Sequence, residues 1–217
     1  MNHIAGPADF AAAFGVSRET VGRLKIYAGL LERWQTTINL VAPGSVPDLW
    51  HRHFADSAQL VALAPHRAVH WLDLGSGGGF PGLVVGQMLA ERPGCQVTLI
   101  ESDERKCAFL REVVRQTGLA SALRVDIVTD RIEKAANTAT VGLVDVVSAR
   151  ALAPLDKLLG WCRPFFGDAT VGLLLKGRDM EAELATARTT WRLEAEARPS
   201  MTQVDGRILV VKTLAPA

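Results

Sequence analysis

The stretch LDLGSGGGFPG (72–82) leaves an apolar run, crosses five glycines and one proline, and enters a segment with helical patterning. Glycines at a strand-to-helix turn let the backbone approach a nucleotide-like ligand closely. Two templates overlap here. From Gly77, GGGFPG satisfies GxGxxG, the dinucleotide fingerprint, while from Asp73, DLGSGGG satisfies DxGxGxG, the pattern of S-adenosylmethionine enzymes. The first glycine of a dinucleotide loop should follow its strand closely, yet Gly75 already makes the turn. The second template also uses Asp73, whose carboxylate can order the loop or accept hydrogen bonds near a cationic ligand. No GK[ST] follows, which excludes a triphosphate P-loop.

Outward from this loop, short apolar runs alternate with longer amphipathic ones. AVHWLDLG, QVTLIE, LRVDIVT, VGLVDVVSA and VGLLLKG read as strands. PGLVVGQMLAE, DERKCAFLREVVRQTG, a short segment from about Ile132, LDKLLGWCRPF and MEAELATARTTW read as helices between or after them. Asp103 and Glu104 suit the start of the second helix, and Gly118 its end. LEAEARPS and RILVVKTL flank Val204–Asp205–Gly206 and read as an antiparallel pair. Such alternation means an α/β fold, with ligands beyond the C-terminal ends of the strands where strand order reverses. The predicted fold is a class I S-adenosylmethionine-dependent methyltransferase (Rossmann-like), with a mostly parallel seven-stranded sheet and an antiparallel edge strand. Residues 1–66 read as an N-terminal helical extension and 67–217 as the compact methyltransferase domain. In the extension, Ser17 can cap a helix. Leu24, Tyr27, Leu31, Trp34 and Ile38 then recur on one helical face, and a second amphipathic helix is expected from about 48 to 63.

The bulk numbers narrow the classes. The chain has 217 residues, 48% of them hydrophobic, and a net charge of +1. That balance excludes a general positive field for coating nucleic acid but not a local basic patch. No apolar run approaches the roughly 18 residues of a membrane span, and the N-terminus is a poor signal peptide. A soluble cytoplasmic protein is expected, with a monomer as the simplest state. Cys95, Cys107 and Cys162 form no CxxC pair and read as reduced packing residues. The histidines show no HExxH spacing, so no metal is expected.

Glu101 ends the second strand about 20 residues beyond the loop, where an acid bonds ribose hydroxyls. After the third strand, Ile132 and Glu133 can face an adenine edge; a solvated helix start is the competing reading. Ser148, Ala149 and Arg150 end the fourth strand, which carries neither [ND]PP[YF] nor a Pro-Cys nucleophile. Arg150 reads either as a buried salt bridge or as a contact to cofactor or incoming nucleotide. A nicotinamide oxidoreductase would need a catalytic Tyr–Lys or His pair, and the single tyrosine, Tyr27, lies in the N-terminal helix.

Seven stretches in order carry a specific likeness: LLERWQTTINLVA (30–42), RHFADS (52–57), LDLGSGGGFPGLVV (72–85), ESDERKCAFLREV (101–113), DRIEK (130–134), VSARALAPL (147–155) and LLLKG (173–177). Through them the chain resembles the bacterial 16S ribosomal RNA guanine-N7 methyltransferase G family (glucose-inhibited division protein B). The resemblance implies S-adenosylmethionine as cofactor, with Gly75, Phe80, Ile132, Glu133 and Arg150 at cofactor-contacting positions. Asp73, Gly77 and Glu101 join them from the loop and ribose arguments. It also implies a guanine in the decoding-region loop of 16S rRNA as substrate, within the small subunit or an assembly intermediate. Guanine N7 has an available lone pair, so in-line attack needs no general base, and Arg150 is expected to position. Arg52, His53, Arg131, Lys176 and Arg178 are the candidate RNA contacts, provided they share the face of Gly75. The glycine loop differs slightly from the family pattern, and residues 137–142 look longer than usual. Another methyltransferase, on a different RNA or a small molecule, and a non-catalytic cofactor-sensing RNA-binding protein remain as alternatives.

Overall fold

The computed structural model describes residues 3–137 and 141–217. Part of the stretch 137–142 therefore lies outside the described residues. Helix α1 spans Pro7–Phe14 and α2 spans Arg18–Gln35. Ser17 caps α2 as expected, its Oγ accepting from the Thr20 N–H at 3.1 Å. Leu24, Tyr27 and Leu31 are fully buried along the expected face, and Ile38 is buried just beyond the helix end.

The regular helix expected over 48–63 is replaced by a composite. A 3-10 turn (Pro43–Asp48) is followed by a π-helical turn (Trp50–Ala55), the three-residue α3 (Asp56–Ala58) and another 3-10 turn (Gln59–Leu63). The reason is burial. Every residue from His53 to Leu60 is buried, so this segment has no solvent face. Four of them, His53, Asp56, Ser57 and Gln59, are polar, and most of their bonds reach other parts of the chain. Those tertiary bonds outweigh the regular ladder, and π turns are a common result at functional sites.

The strands are β1 (His70–Leu74), β2 (Gln96–Glu101), β3 (Arg124–Thr129), β4 (Val146–Arg150), β5 (Val171–Lys176), β6 (Trp191–Pro199) and β7 (Arg207–Pro216). They form one sheet in the order β3-β2-β1-β4-β5-β7-β6. β1 to β5 pair in parallel, and β7 runs antiparallel to both β5 and β6. The helices between them are α4 (Gly82–Leu89), α5 (Glu104–Thr117), α6 (Ile132–Asn137), α7 (Leu155–Cys162) and α8 (Met180–Ala187). Helix α8 stops short of the expected end because Trp191 already opens β6. Asp103 caps α5, accepting from the Arg105 and Lys106 N–H groups, and Gly118 ends it at φ +66°.

Alternation along β1 sends Trp71 to one face and Leu72 and Leu74 to the other, into two separate buried clusters. Phe10, Tyr27 and Phe54 of the N-terminal segment pack with Phe80, Leu83 and Leu99 in the first cluster. The extension thus covers one sheet face, as a parallel sheet requires. The three cysteines are free and buried.

Candidate functional site

Strand order reverses between β2 and β4, on either side of β1, and the glycine loop leaves β1 at that point. A cleft of about 980 Å³ opens there. Gly75 has φ +64°, a conformation that residues with a side chain adopt at a cost, and a Cβ on it would press 2.4 Å from Leu152 Cδ1 and force that side chain to shift. Gly82 starts α4 so close to β1 that a Cβ would lie 2.7 Å from Asp73 Cβ.

Asp73 is fully buried and does not line the cleft. Its Oδ2 accepts from the Gly82 N–H at 3.1 Å and its Oδ1 from Ser148 Oγ at 2.8 Å. Ser148 in turn accepts from Trp71 Nε1 at 2.8 Å. Burial pushes the Asp73 carboxyl up to about 6 against the pull of these bonds. Of the two roles weighed for Asp73, this geometry matches ordering the loop.

Glu101, at the end of β2, faces the cleft. Its Oε2 accepts from the Gly77 N–H at 2.8 Å and its Oε1 from the Asp103 N–H at 2.9 Å. Both oxygens are anchored yet keep a second lone pair for hydroxyl donors. Ile100 and Ile132 give apolar lining beside it. An anchored acid for vicinal hydroxyls, apolar surface for a base and a side-chain-free loop fit the adenosyl part of S-adenosylmethionine. Glu133 also lines the cleft, but its Oε1 accepts from Trp161 Nε1 at 2.8 Å, a link not foreseen.

Phe80 is buried beneath the Arg150 guanidinium, whose Cζ lies 5.0 Å from the ring centroid, within cation–π range. Arg150 Nη1 donates to the Arg52 carbonyl oxygen at 3.2 Å and to Asp56 Oδ2 at 3.4 Å. Its Nη2 lies 2.8 Å from His53 Nδ1. Both readings of Arg150 therefore meet, since it is salt-bridged and also lines the cleft. The chain turns sharply after it, with Ala151 at φ +49°, a strained value for a residue with a side chain.

The RNA candidates separate. Arg52 and Arg131 are exposed and line the cleft with Gly75. Lys176 lines it too, but its Nζ is held 2.5 Å from Glu183 Oε2 and donates to the Ala153 carbonyl at 3.1 Å. His53 is 7% exposed, and desolvation with the charges of Arg150 and Arg52 pushes its imidazole down to about 3. It lines the cleft with Gly75 as a neutral, nearly buried ring and not as a surface cation. Arg178 is exposed outside the lining. Seven lysines and arginines line the cleft against four carboxylates, a local positive excess on a nearly neutral chain.

Several functional neighbours carried only faint sequence signals. Gln35 Oε1 accepts from the Leu40 and Val41 N–H groups and its Nε2 donates to the Val41 carbonyl, pinning the TINLVA wall of the cleft. Asp56 and Ser45 were polar residues in helical or turn segments. Tyr27 was one position on an apolar stripe.

The reversed strand order, glycine loop, β2 carboxylate and antiparallel β7 define a class I S-adenosylmethionine-dependent methyltransferase fold. Two solved structures share it: an S-adenosylmethionine-dependent methyltransferase from Aquifex aeolicus (TM-score 0.57, 14% identity, 77% of this chain and 94% of that one), and a putative O-methyltransferase from Klebsiella pneumoniae (TM-score 0.57, 14% identity, 87% and 89%). Residues 20–210 match the family described as rRNA small subunit methyltransferase G. The ribosomal RNA small subunit methyltransferase G of Parvibaculum lavamentivorans is 54% identical over 205 residues, covering 94% of this chain and 88% of its own. That of Paramagnetospirillum magneticum is 48% identical over 204 residues, covering 94% of both. The chain belongs to the rRNA small subunit methyltransferase G family.

Proposed function

We infer that the protein transfers the methyl group of S-adenosylmethionine to N7 of a guanine in the decoding-region loop of 16S ribosomal RNA. The observation that carries this is the family match along residues 20–210, which includes the segments that build the cleft. When bound, S-adenosylmethionine supplies an electrophilic sulfonium methyl. The residues assigned to hold it are Gly75, Gly77, Phe80, Glu101, Ile132, Glu133 and Arg150, with Asp73 fixing the loop from beneath.

The chain's own contribution is positioning and electrostatics. Guanine N7 attacks with a lone pair it already has, so no residue must take a proton first. This agrees with the side chains at hand. His53 has both ring nitrogens engaged, by Ser45 and by Arg150. Both Glu101 oxygens already accept backbone N–H bonds. The buried carboxylates of Glu101 and Asp73, on the loop side, would offset the positive charge of a bound sulfonium. Arg52 and Arg131, at the mouth, are assigned to the RNA backbone, with the target base splayed into the cleft.

The near-neutral chain suits a shaped ribonucleoprotein better than naked RNA, and we assign the substrate as the small subunit or an assembly intermediate, bound by a monomer. The test is incubation with labelled S-adenosylmethionine and either small subunits or free 16S rRNA, followed by chemical cleavage at N7-methylguanine. Label at one guanine, higher on subunits, is expected. Intact cofactor binding with no label in small-subunit RNA overturns the substrate; equal labelling of free RNA overturns the ribonucleoprotein preference.

A further inference from the structure

Behind Arg150 runs a polar chain that reaches back into the N-terminal extension. Ser45 Oγ donates to the Ala42 carbonyl oxygen at 2.6 Å and lies 2.7 Å from His53 Nε2. Arg150 Nη2 lies 2.8 Å from His53 Nδ1. A guanidinium has donors only, so Nδ1 is the acceptor and carries no proton. The single proton of Ser45 is committed to Ala42, so Ser45 accepts from His53 and the imidazole proton sits on Nε2. The ring is a neutral relay of fixed tautomer, 7% exposed and facing Phe80 at 5.0 Å between ring centroids.

On the other side, Asp56 takes Arg150 Nη1 through Oδ2, while its Oδ1 accepts from Gln59 Nε2 at 2.9 Å and Thr202 Oγ1 at 2.6 Å. Arg150 is thus held from two directions over Phe80. A guanidinium has five N–H groups. Both on Nη1 and one on Nη2 are used, which leaves Nε–H and one Nη2–H without a partner among the described residues. Such a pair recognises two adjacent acceptor atoms in one plane.

We propose that His53 is a positioning residue: through its unprotonated Nδ1 it fixes the plane of Arg150, and so aims the free Nε–H and Nη2–H pair at two adjacent acceptor atoms of a ligand in the cleft. The acceptor pair belongs either to the methyl donor's carboxylate or to the edge of the target base. This rests on the cleft being the methyl-transfer site.

The experiment compares wild type with His53→Ala, His53→Asn, Arg150→Ala and the double variant His53→Ala/Arg150→Ala. Cofactor affinity is read without RNA, and kcat and KM with small subunits. His53→Ala is expected to lose about 10²-fold in kcat/KM, the scale of a misplaced contact. Asparagine, whose Oδ1 can stand where Nδ1 stood, should restore most of it. In the Arg150→Ala background the same alanine should cost less than about twofold, because the two residues act as one unit. Equal losses in both backgrounds, or an asparagine as poor as alanine, overturn the proposal. A loss in cofactor affinity without RNA assigns the acceptor pair to the donor; a loss confined to kcat or to KM for subunits assigns it to the base. Should the alanine variant fail to fold, ¹⁵N NMR of the wild type decides. A proton on His53 Nε2 and none on Nδ1 between pH 5 and 8 is expected, and protonated Nδ1 overturns the proposal. Wild type that methylates no ribosomal RNA would remove the substrate assignment, while the tautomer and the coupling in cofactor affinity would still be measured.

Discussion

The ring of Tyr27 in α2 stacks on Phe80 of the glycine loop, with centroids 5.4 Å apart and planes 14° from parallel. Its hydroxyl donates to the Gly78 carbonyl oxygen. A residue of the N-terminal segment thereby holds the glycine loop that lines the cleft. Tyr27→Phe keeps the ring and strands a buried carbonyl, so stability should fall by about 1–3 kcal/mol in urea melts. Tyr27→Ala adds a cavity and should cost about 3–5 kcal/mol. Cofactor affinity, read by calorimetry, should fall severalfold already with phenylalanine. Unchanged affinity would mean that stacking alone orders the loop.

Asp73 should give a distinctive pH signature. Its carboxyl titrates at about 6 in the folded protein against an ordinary value of 3.8. Between those values the folded state holds more protons than the unfolded one, so this group makes stability fall as pH rises through the window. The full effect is roughly 3 kcal/mol above pH 6 and vanishes below pH 4. Asp73→Asn removes it. From pH 4 to pH 7 the difference between variant and wild type should move in the variant's favour by about that amount. A difference that does not change with pH would place the Asp73 titration at its ordinary value.

Glu101 offers its remaining lone pairs to the cleft while its carboxylate bonds Gly77 and Asp103. Replacement by glutamine keeps the shape but turns one acceptor oxygen into an NH2 that faces a backbone N–H, and removes the charge from the bond that remains. Charge-assisted bonds contribute about 1.5–3 kcal/mol, so cofactor affinity should fall roughly ten- to a hundredfold by calorimetry. Chain stability should fall too, by about 1–3 kcal/mol, because Glu101 is buried and one backbone N–H loses its acceptor.

The basic residues are separable by salt. Arg131 lines the cleft and is exposed, whereas Arg178 is exposed outside it. Arg131→Ala should lower the slope of log affinity against log salt for RNA by roughly 0.7, the amount for one phosphate contact on single-stranded RNA. Arg178→Ala should leave that slope unchanged. Equal effects from both would mean that the RNA path extends beyond the cleft.

The parts of the site legible in the sequence are those whose chemistry is local. Gly75 must adopt a positive φ within two residues of a strand end, and only glycine does so at little cost. Glu101 is readable from its place at the end of β2, and Ser17, Asp103 and Gly118 from the unsatisfied backbone groups of helix ends. The expected helix over 48–63 failed for the opposite reason. Its polar residues bond to partners far along the chain: Asp56 reaches Arg150 across 94 positions and Thr202 across 146. No periodicity within the segment announces such bonds. His53 was a candidate RNA contact together with Arg52, but within the π turn Arg52 is exposed and His53 buried, a difference that two adjacent residues do not announce.

By itself the sequence determined the alternation of strand and helix, the turn that must be glycine, the acid that follows it and the family of the whole chain. The first three depend on backbone preference or residue spacing within some thirty positions, and the family on seven stretches spread from residue 30 to 177. Tertiary structure alone decided that Asp73 is a buried strut, that Tyr27 braces the glycine loop and that Arg150 is held between His53 and Asp56. Those roles come from desolvation and from hydrogen bonds that join residues far apart in the chain.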